Sequence, residues 1–506
     1  MIKARMVRDA MARQRPPGAA SVAQVLPGQD EISPVAIAAG SQPPVDPEVR
    51  ARQAILHGPV LATMLGLAGP TILVLVAQVA VGVAETFYVS YLGTAALAGV
   101  ALVFPILMLM TMMSNGGVGG GVASAVARAI GAGHNDDADA LVTHALVVAV
   151  VFGLLFTAVA LLLGPAIYRG LGGTGPVLDA ALTYSGFVFA GAVPSWIVSL
   201  LAAALRGAGN VKFPAIVTLT SAAVLVLLSP ALIFGIGPIP RLGIAGAGIA
   251  VTSFNVVAAV VLLRYLGSGR AVPALRRTRL EARLFRSILG VGLLSALGTV
   301  QFNLTVLLVT GAVGLFGTDA LAGYGIASRL DYLLIPLLFG LGTAAVTMVG
   351  TNIGAGAAAR ARQIAWTGAL VAAAVAEAIG VFVAIFPTAW LGLFSSDPNV
   401  LATGARYLRI VGPFYGAMGV GMLLYFASQG AGRVLWPVLA GTARLVIAAL
   451  FGWLAVAWLG FAEPALFALV AAAAAAFGAI NAASMLLGAW DRGPKWRAFR
   501  AGSGEG

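Results

Sequence analysis

The sequence predicts an all-α polytopic membrane protein with twelve transmembrane helices in two pseudo-symmetric six-helix bundles. Three observations carry that expectation. The chain is 60 % hydrophobic and 9 % charged, with a mean hydropathy of +0.98, whereas a soluble domain carries about 25 % charged residues. Apolar runs recur from about residue 58 onward, and at ~20 residues per span plus a connection, 506 residues hold about twelve. The third observation is an internal repeat.

Residues 1–56 are rich in Pro, Ala, Gln and Arg without a sustained apolar run, so a disordered cytoplasmic tail is expected there. No compact apolar region follows the basic start, so no signal peptide is expected. Six spans follow in a first bundle over residues 57–266, at 59–90, 94–124, 138–164, 182–205, 212–236 and 243–266. A basic cytoplasmic linker, 267–285, leads to the second bundle, 286–490. Its spans are read at 286–313, 319–350, 363–387, 405–428, 434–459 and 463–489, before a cytoplasmic tail, 491–506. Several runs exceed what a bilayer requires, which predicts tilt or extension beyond it.

Positive charge sets the orientation. With the N-terminus inside, twenty-four of the thirty Lys and Arg residues fall in the tails, the linker and the even-numbered connections. Arg128 and Arg206 are counted among them. Four lie outside (Arg169, Arg241, Arg406, Arg409), and Arg329 and Arg444 lie within spans. That distribution accounts for the net charge of +12 without nucleic acid. Cysteine is absent, and the three histidines, His57, His134 and His144, are too scattered for a metal site.

The repeat is the strongest organisational signal. Leu92-Gly-Thr-Ala-Ala-Leu-Ala-Gly99 recurs as Phe316-Gly-Thr-Asp-Ala-Leu-Ala-Gly323, and Ile130-Gly-Ala-Gly133 as Ile353-Gly-Ala-Gly356. Gly207-Ala-Gly209 with Phe213-Pro214 recurs as Gly430-Ala-Gly432 with Trp436-Pro437, all at an offset of 223 or 224 residues. Each copy holds six spans, so both enter the membrane from the same side, as a parallel repeat about an axis along the membrane normal.

In these motifs the chain resembles the multidrug and toxic compound extrusion (MATE) family over roughly residues 57 to 450. The carrying residues are Val83-Ala-Glu-Thr86, Pro70 fifteen residues before Glu85, Leu205-Arg-Gly-Ala-Gly209 with Pro214, Gly243-Ile-Ala-Gly-Ala-Gly248 with Thr252, and Val349-Gly-Thr-Asn-Ile-Gly-Ala-Gly356. The resemblance implies two lobes around a central cavity and export of organic cations driven by inward H⁺ or Na⁺. It also implies a bend of the first helix at Pro70. Ser229 and Leu225 stand where the family often carries an Asp before a Pro and an Asn, and Gln301 and Met418 lie where some members carry acids. A carboxylate-rich Na⁺ site is therefore not expected, and H⁺ is the first choice of coupling ion with Na⁺ the alternative.

Glu85 is the first candidate for coupling. A charged side chain at the bilayer centre costs at least ~2.5–3.5 kcal/mol, so desolvation favours the neutral acid, which can load a proton on one side and lose it on the other. Its repeat counterpart near Val309 is apolar, which confines coupling to the first lobe. The alternative is a solvated carboxylate, since eight residues from Gly93 place it only ~12 Å deep. Given the packing that the resemblance implies, Ser229 and Thr252 could hydrogen-bond Glu85; ordinary interhelix packing is the alternative.

Asn115, Gln301, Asn303, Asp331 and Tyr332 are candidates for substrate binding, with Gln78 a further polar residue in an apolar span. Asp331 would receive a cation with Arg329 near the cavity rim, or serve structure instead. Phe104, Tyr184, Trp196, Phe302, Tyr324, Tyr332 and Phe414 suit flat lipophilic cations if they line a cavity, and packing if they do not. Glu377 and Arg444 are lone charges whose default is mutual pairing or snorkelling. The run Gly116-Gly-Val-Gly-Gly-Gly121 lacks a preceding strand and a following Gly-Lys-Ser/Thr, so it serves close helix packing rather than phosphate binding. Asp136, Asp137 and Asp139 are read as complementing the next helix N-terminus.

The sequence thus predicts a monomeric antiporter of the bacterial inner membrane that needs no cofactor. Its expected partners are a small organic cation and membrane lipids. A lipid-linked-sugar flippase would need a strongly cationic cavity, and a membrane-embedded enzyme would need clustered His, Asp or Ser near an interface.

Overall fold

The computed structural model describes residues 47–237, 240–269 and 271–490, apart from the side chains of residues 47–50, 331 and 332. The tails of residues 1–46 and 491–506 lie outside the described residues. Twelve spans follow one another: α1 (Val60–Ser90), α2 (Thr94–Gly131), α3 (Asn135–Gly170), the bent pair Gly175–Ala190 and Ala192–Gly207 as α4, α5 (Lys212–Phe234) and α6 (Ile244–Gly267). The second half holds α7 (Ala282–Gly314), α8 (Thr318–Gly354), α9 (Ala358–Ile385), α10 (Pro398–Gly430), α11 (Leu435–Ala457) and α12 (Glu463–Leu486). No strand occurs among the described residues. One expectation is corrected at the start: part of the segment read as a disordered tail forms a helix, Pro47–His57.

The repeat reappears as backbone geometry. Gly93 and Gly317 enter α2 and α8 at φ 102° and 104°, and Gly133 and Gly356 close those spans at φ 79° and 77°. Gly209 and Gly432 turn the α4–α5 and α10–α11 connections at φ 88° and 73°. Each site demands the left-handed region that only glycine enters without steric cost. The three sequence matches are therefore the loop hinges of each half.

The halves are not sealed from each other. α1 packs against α5 of its own half and crosses to α8, while α7 packs on α11 and crosses to α2. The hydrophobic cores follow suit. Met64, Leu67 and Ala68 of α1 join the second core, and Leu284 and Ile288 of α7 join the first.

The tightest contact joins α2 and α8 at the end that carries the basic loops. A Cβ on Gly131 would stand 2.1 Å from the Thr351 carbonyl oxygen, and one on Gly354 would stand 2.1 Å from that of Arg128. The two pairs are related by the 223-residue offset, so the crossing is self-complementary. Polar bonds fasten it. Ser124 Oγ donates to Gln429 O (2.5 Å), Arg128 Nη1 to Gly430 O (3.2 Å) and Thr347 Oγ1 to Arg206 O (2.8 Å). The Pro47–His57 helix covers the same end. Arg52 reaches Gly131 O (3.3 Å), Asn352 Nδ2 donates to Ile55 O (3.2 Å), and Ile55 is buried.

The Gly116–Gly121 run performs the packing expected of it. A Cβ on Gly117 would stand 2.9 Å from Ala296 Cα, and one on Gly121 2.5 Å from Ile288 O, both on α7. Asp136 and Asp137 lie in the first turn of α3, as read. Asp137 and Asp139 also hold the linker: Arg283 bridges Asp137 (2.8 Å), Arg276 bridges Asp139 (3.1 Å), and Ala274 N–H donates to Asp139 (2.7 Å).

Gly354→Leu will force the crossing apart, because overpacking a close contact costs ~1–3 kcal/mol. The chain has no cysteine, so Ser124→Cys offers a clean reporter. Its maleimide labelling in purified protein will speed up in Gly354→Leu. It will not change in Gly325→Leu, where nothing lies within 4 Å of the position of a Cβ.

Candidate functional site

Glu85 lies on α1, with its carboxyl beside the Ser229 hydroxyl of α5 and near Tyr184 of α4. Glu85 Oε1 and Ser229 Oγ are both buried, and neither closes a hydrogen bond. The helices that hold them are apolar, and among the described residues no cation pairs with Glu85. A proton on this carboxyl would remove a charge that nothing nearby balances.

Thr252 is not part of this cluster. Its hydroxyl donates to Phe187 O (2.7 Å), and it fills the break of α4, where a Cβ on Gly191 would lie 2.5 Å from Thr252 Oγ1. The two pieces of α4 meet there at 47°. Thr252 braces a broken helix whose last carbonyls need donors. Pro70 lies within the continuous helix Val60–Ser90. Beside it Gly340 of α8 comes so close that a Cβ there would stand 2.3 Å from Ile72 Cγ1.

A large cavity opens in the second half between α7, α8, α10, α11 and α12, with α2 closing one side. Aromatic rings dominate it: Phe302, Phe339, Tyr425, Phe426 and Phe477, with Met112 and Met422. The Arg444 guanidinium lies 4.4 Å from the centre of the Phe302 ring. No residue of the Glu85 cluster lines this cavity.

The candidates for substrate binding are dispersed. Asn303 lines the large cavity, and its amide donates to Thr299 O (2.9 Å) and Met112 Sδ (3.2 Å). Asn115 sits in a π-helical turn of α2, Met113–Val118, and lines a smaller cavity between the halves. Gln301 turns to α11 instead, where its amide donates to Thr442 Oγ1 (2.8 Å). The side chains of Asp331 and Tyr332 lie outside the described residues.

Of the aromatics singled out in the sequence, Phe302 alone lines the large cavity among the described side chains. Trp196 is buried against Phe152 and Phe156, and Tyr324 packs on Tyr407 and Phe467. Glu377 does not pair with Arg444. It accepts Gly416 N–H (2.7 Å), where α10 restarts after the Gly412–Phe414 turn, as an acid does at a helix start. Arg329 stands 6.0 Å over Phe394.

Two arginines counted in the connections belong to spans. Arg128 is buried in α2 and Arg206 faces the smaller cavity from α4. Position in the chain could not separate them from loop charges, since each lies within a few residues of a turn glycine.

The comparisons with known proteins agree with this architecture. The MatE family model matches residues 70–231 and 294–454, one block in each half. An FAD transporter of Shewanella oneidensis is 26 % identical over 402 residues, 78 % of this chain and 88 % of that protein. The probable multidrug resistance protein NorM of Deinococcus radiodurans is 30 % identical over 369 residues, 70 % of this chain and 79 % of that protein. Among solved structures, a MOP-superfamily transporter from Pyrococcus furiosus superposes with a TM-score of 0.79 at 22 % identity, over 88 % of this chain and 99 % of that one.

Thr252→Val will remove the brace at the α4 break and cost about 1 kcal/mol. The variant will lower the unfolding midpoint in a thermal or denaturant scan. With a match in each half that together spans well over half of its length, the chain belongs to the MatE family.

Proposed function

We propose that the chain is a secondary transporter of the bacterial inner membrane that exports small organic molecules by H⁺ antiport, with its basic end in the cytoplasm. The positive-inside distribution supports that orientation. Relatives named as multidrug export or resistance proteins and as an FAD transporter support the transport of small molecules. The coupling assignment rests on one observation, the buried Glu85 carboxyl oxygen beside Ser229 without a partner. Protonated, Glu85 suits that apolar site; ionised, it needs water or a rearrangement of α1. Because this cluster and the large cavity share no residue, ion and substrate would communicate through helix movement rather than by competing for one group.

At 100 mV one inward charge supplies ~2.3 kcal/mol, enough for roughly fifty-fold accumulation when the rest of the cycle is neutral. In proteoliposomes, ethidium transport will follow an imposed ΔpH in the wild type and be abolished in Glu85→Gln. Wild-type transport that follows ΔpNa alone would replace the ion. A Glu85→Gln rate equal to wild type under ΔpH would remove Glu85 from coupling.

A second reading of the substrate is favoured by the large cavity itself. Its described lining carries a guanidinium on an aromatic ring and no carboxylate. That combination suits a flat aromatic anion better than a flat cation. Competition settles the choice: FAD will displace a bound flavin probe in the wild type and lose at least ~tenfold in affinity in Arg444→Ala, whereas on the cation reading ethidium competes and FAD does not.

A further inference from the structure

Arg206 is half-buried at the basic end of α4 and keeps part of its surface open to the smaller cavity. Asn115 of α2 and Thr343, Phe426 and Gln429 of α8 and α10 also line it, so both halves build its wall. The Arg206 guanidinium makes no hydrogen bond and no ion pair among the described residues. Buried Arg128 differs: its guanidinium donates to Gly430 O, Ser124 Oγ and Ser287 Oγ.

A guanidinium stays protonated at any physiological pH, and an isolated charge inside a membrane protein needs a counter-charge. No carboxylate lines this cavity. Asp331, the acid within α8, is twelve residues from Thr343 and so ~18 Å along the helix. A bound ligand can supply that counter-charge.

We propose that the Arg206 cavity binds one small monovalent anion of the chloride class. The guanidinium supplies the charge, and the Asn115 amide, displaced toward the cavity by the π-helical turn, supplies a second donor. Gln429 Nε2 is spent on Gly116 O (2.9 Å), while its buried Oε1 has no partner. Since the wall comes from both halves, the site is complete only while they are closed at the basic end. The anion then stabilises that arrangement by linkage. None of this depends on Glu85 or on the transported substrate.

The test uses the full chain in nanodiscs at constant ionic strength, exchanging gluconate for chloride or bromide. The wild type will show a saturable rise in unfolding midpoint with either halide and slower labelling of Ser124→Cys. Arg206→Gln will lose both responses, and Arg206→Lys will keep them at a higher half-saturating concentration. Asn115→Leu, which keeps the charge but fills the cavity, serves should Arg206→Gln fail to fold; it too will lose the response. In a crystal grown with bromide, an anomalous peak will lie beside Arg206. A wild-type midpoint that ignores the choice of anion, or a full response in Arg206→Gln or Asn115→Leu, overturns the proposal.

Discussion

The structure depends on one steric condition, the absence of side chains where α2 crosses α8. Gly131 faces the Thr351 carbonyl and Gly354 faces that of Arg128. Neither helix could approach so closely with even an alanine there, and in a membrane such approach replaces the hydrophobic drive that is missing between helices. Once the backbones touch, carbonyls and hydroxyls at the helix ends find partners across the boundary. Ser124 and Arg128 reach the end of α10, Thr347 reaches the end of α4, and the Pro47–His57 helix settles over the join. The same glycines therefore decide both the closeness of the two halves and which polar groups are buried between them.

The same repeat governs packing within each half. A Cβ on Gly207 would meet Ala123 O at 2.4 Å, and one on Gly430 would meet Val346 O at 2.6 Å, again a pair at the repeat offset. What breaks the symmetry is chemistry. Glu85 faces an apolar counterpart near Val309, and Phe426 of the large cavity corresponds to Ala203. The two halves share one scaffold, with a buried acid in the first and an aromatic-lined space in the second.

The sequence displayed this fold clearly because hydropathy and glycine placement are local signals. Twelve apolar runs and three pairs of loop glycines needed no knowledge of partners. The partner of a side chain depends on helix rotation and on breaks, and these were not legible. Thr252 belongs to the α4 break because Gly191 leaves room for it, and Gln301 turns to Thr442 because Gly441 leaves room beside it. Both are polar residues in apolar helices, and nothing in their spacing tells a ligand-facing amide from one that braces a neighbour. Glu85 stands out in the sequence for the opposite reason, since a carboxyl in an apolar span has few structural uses.

Arg128 and Arg206 carry that lesson furthest. By charge counting they were ordinary inside positives, three to four residues from a turn. Burial divides them. The carbonyl at the end of α10 and two hydroxyls satisfy Arg128, whereas Arg206, one residue before Gly207, has an open wall and no acceptor among the described residues. Its repeat counterpart, Gln429, is neutral and reaches back across the join to Gly116 O. Had both positions kept arginine, two guanidinium groups would meet at one cavity and repel each other. With an amide opposite, a single positive charge remains in a pocket built by both halves, and the closed arrangement becomes sensitive to whatever neutralises it.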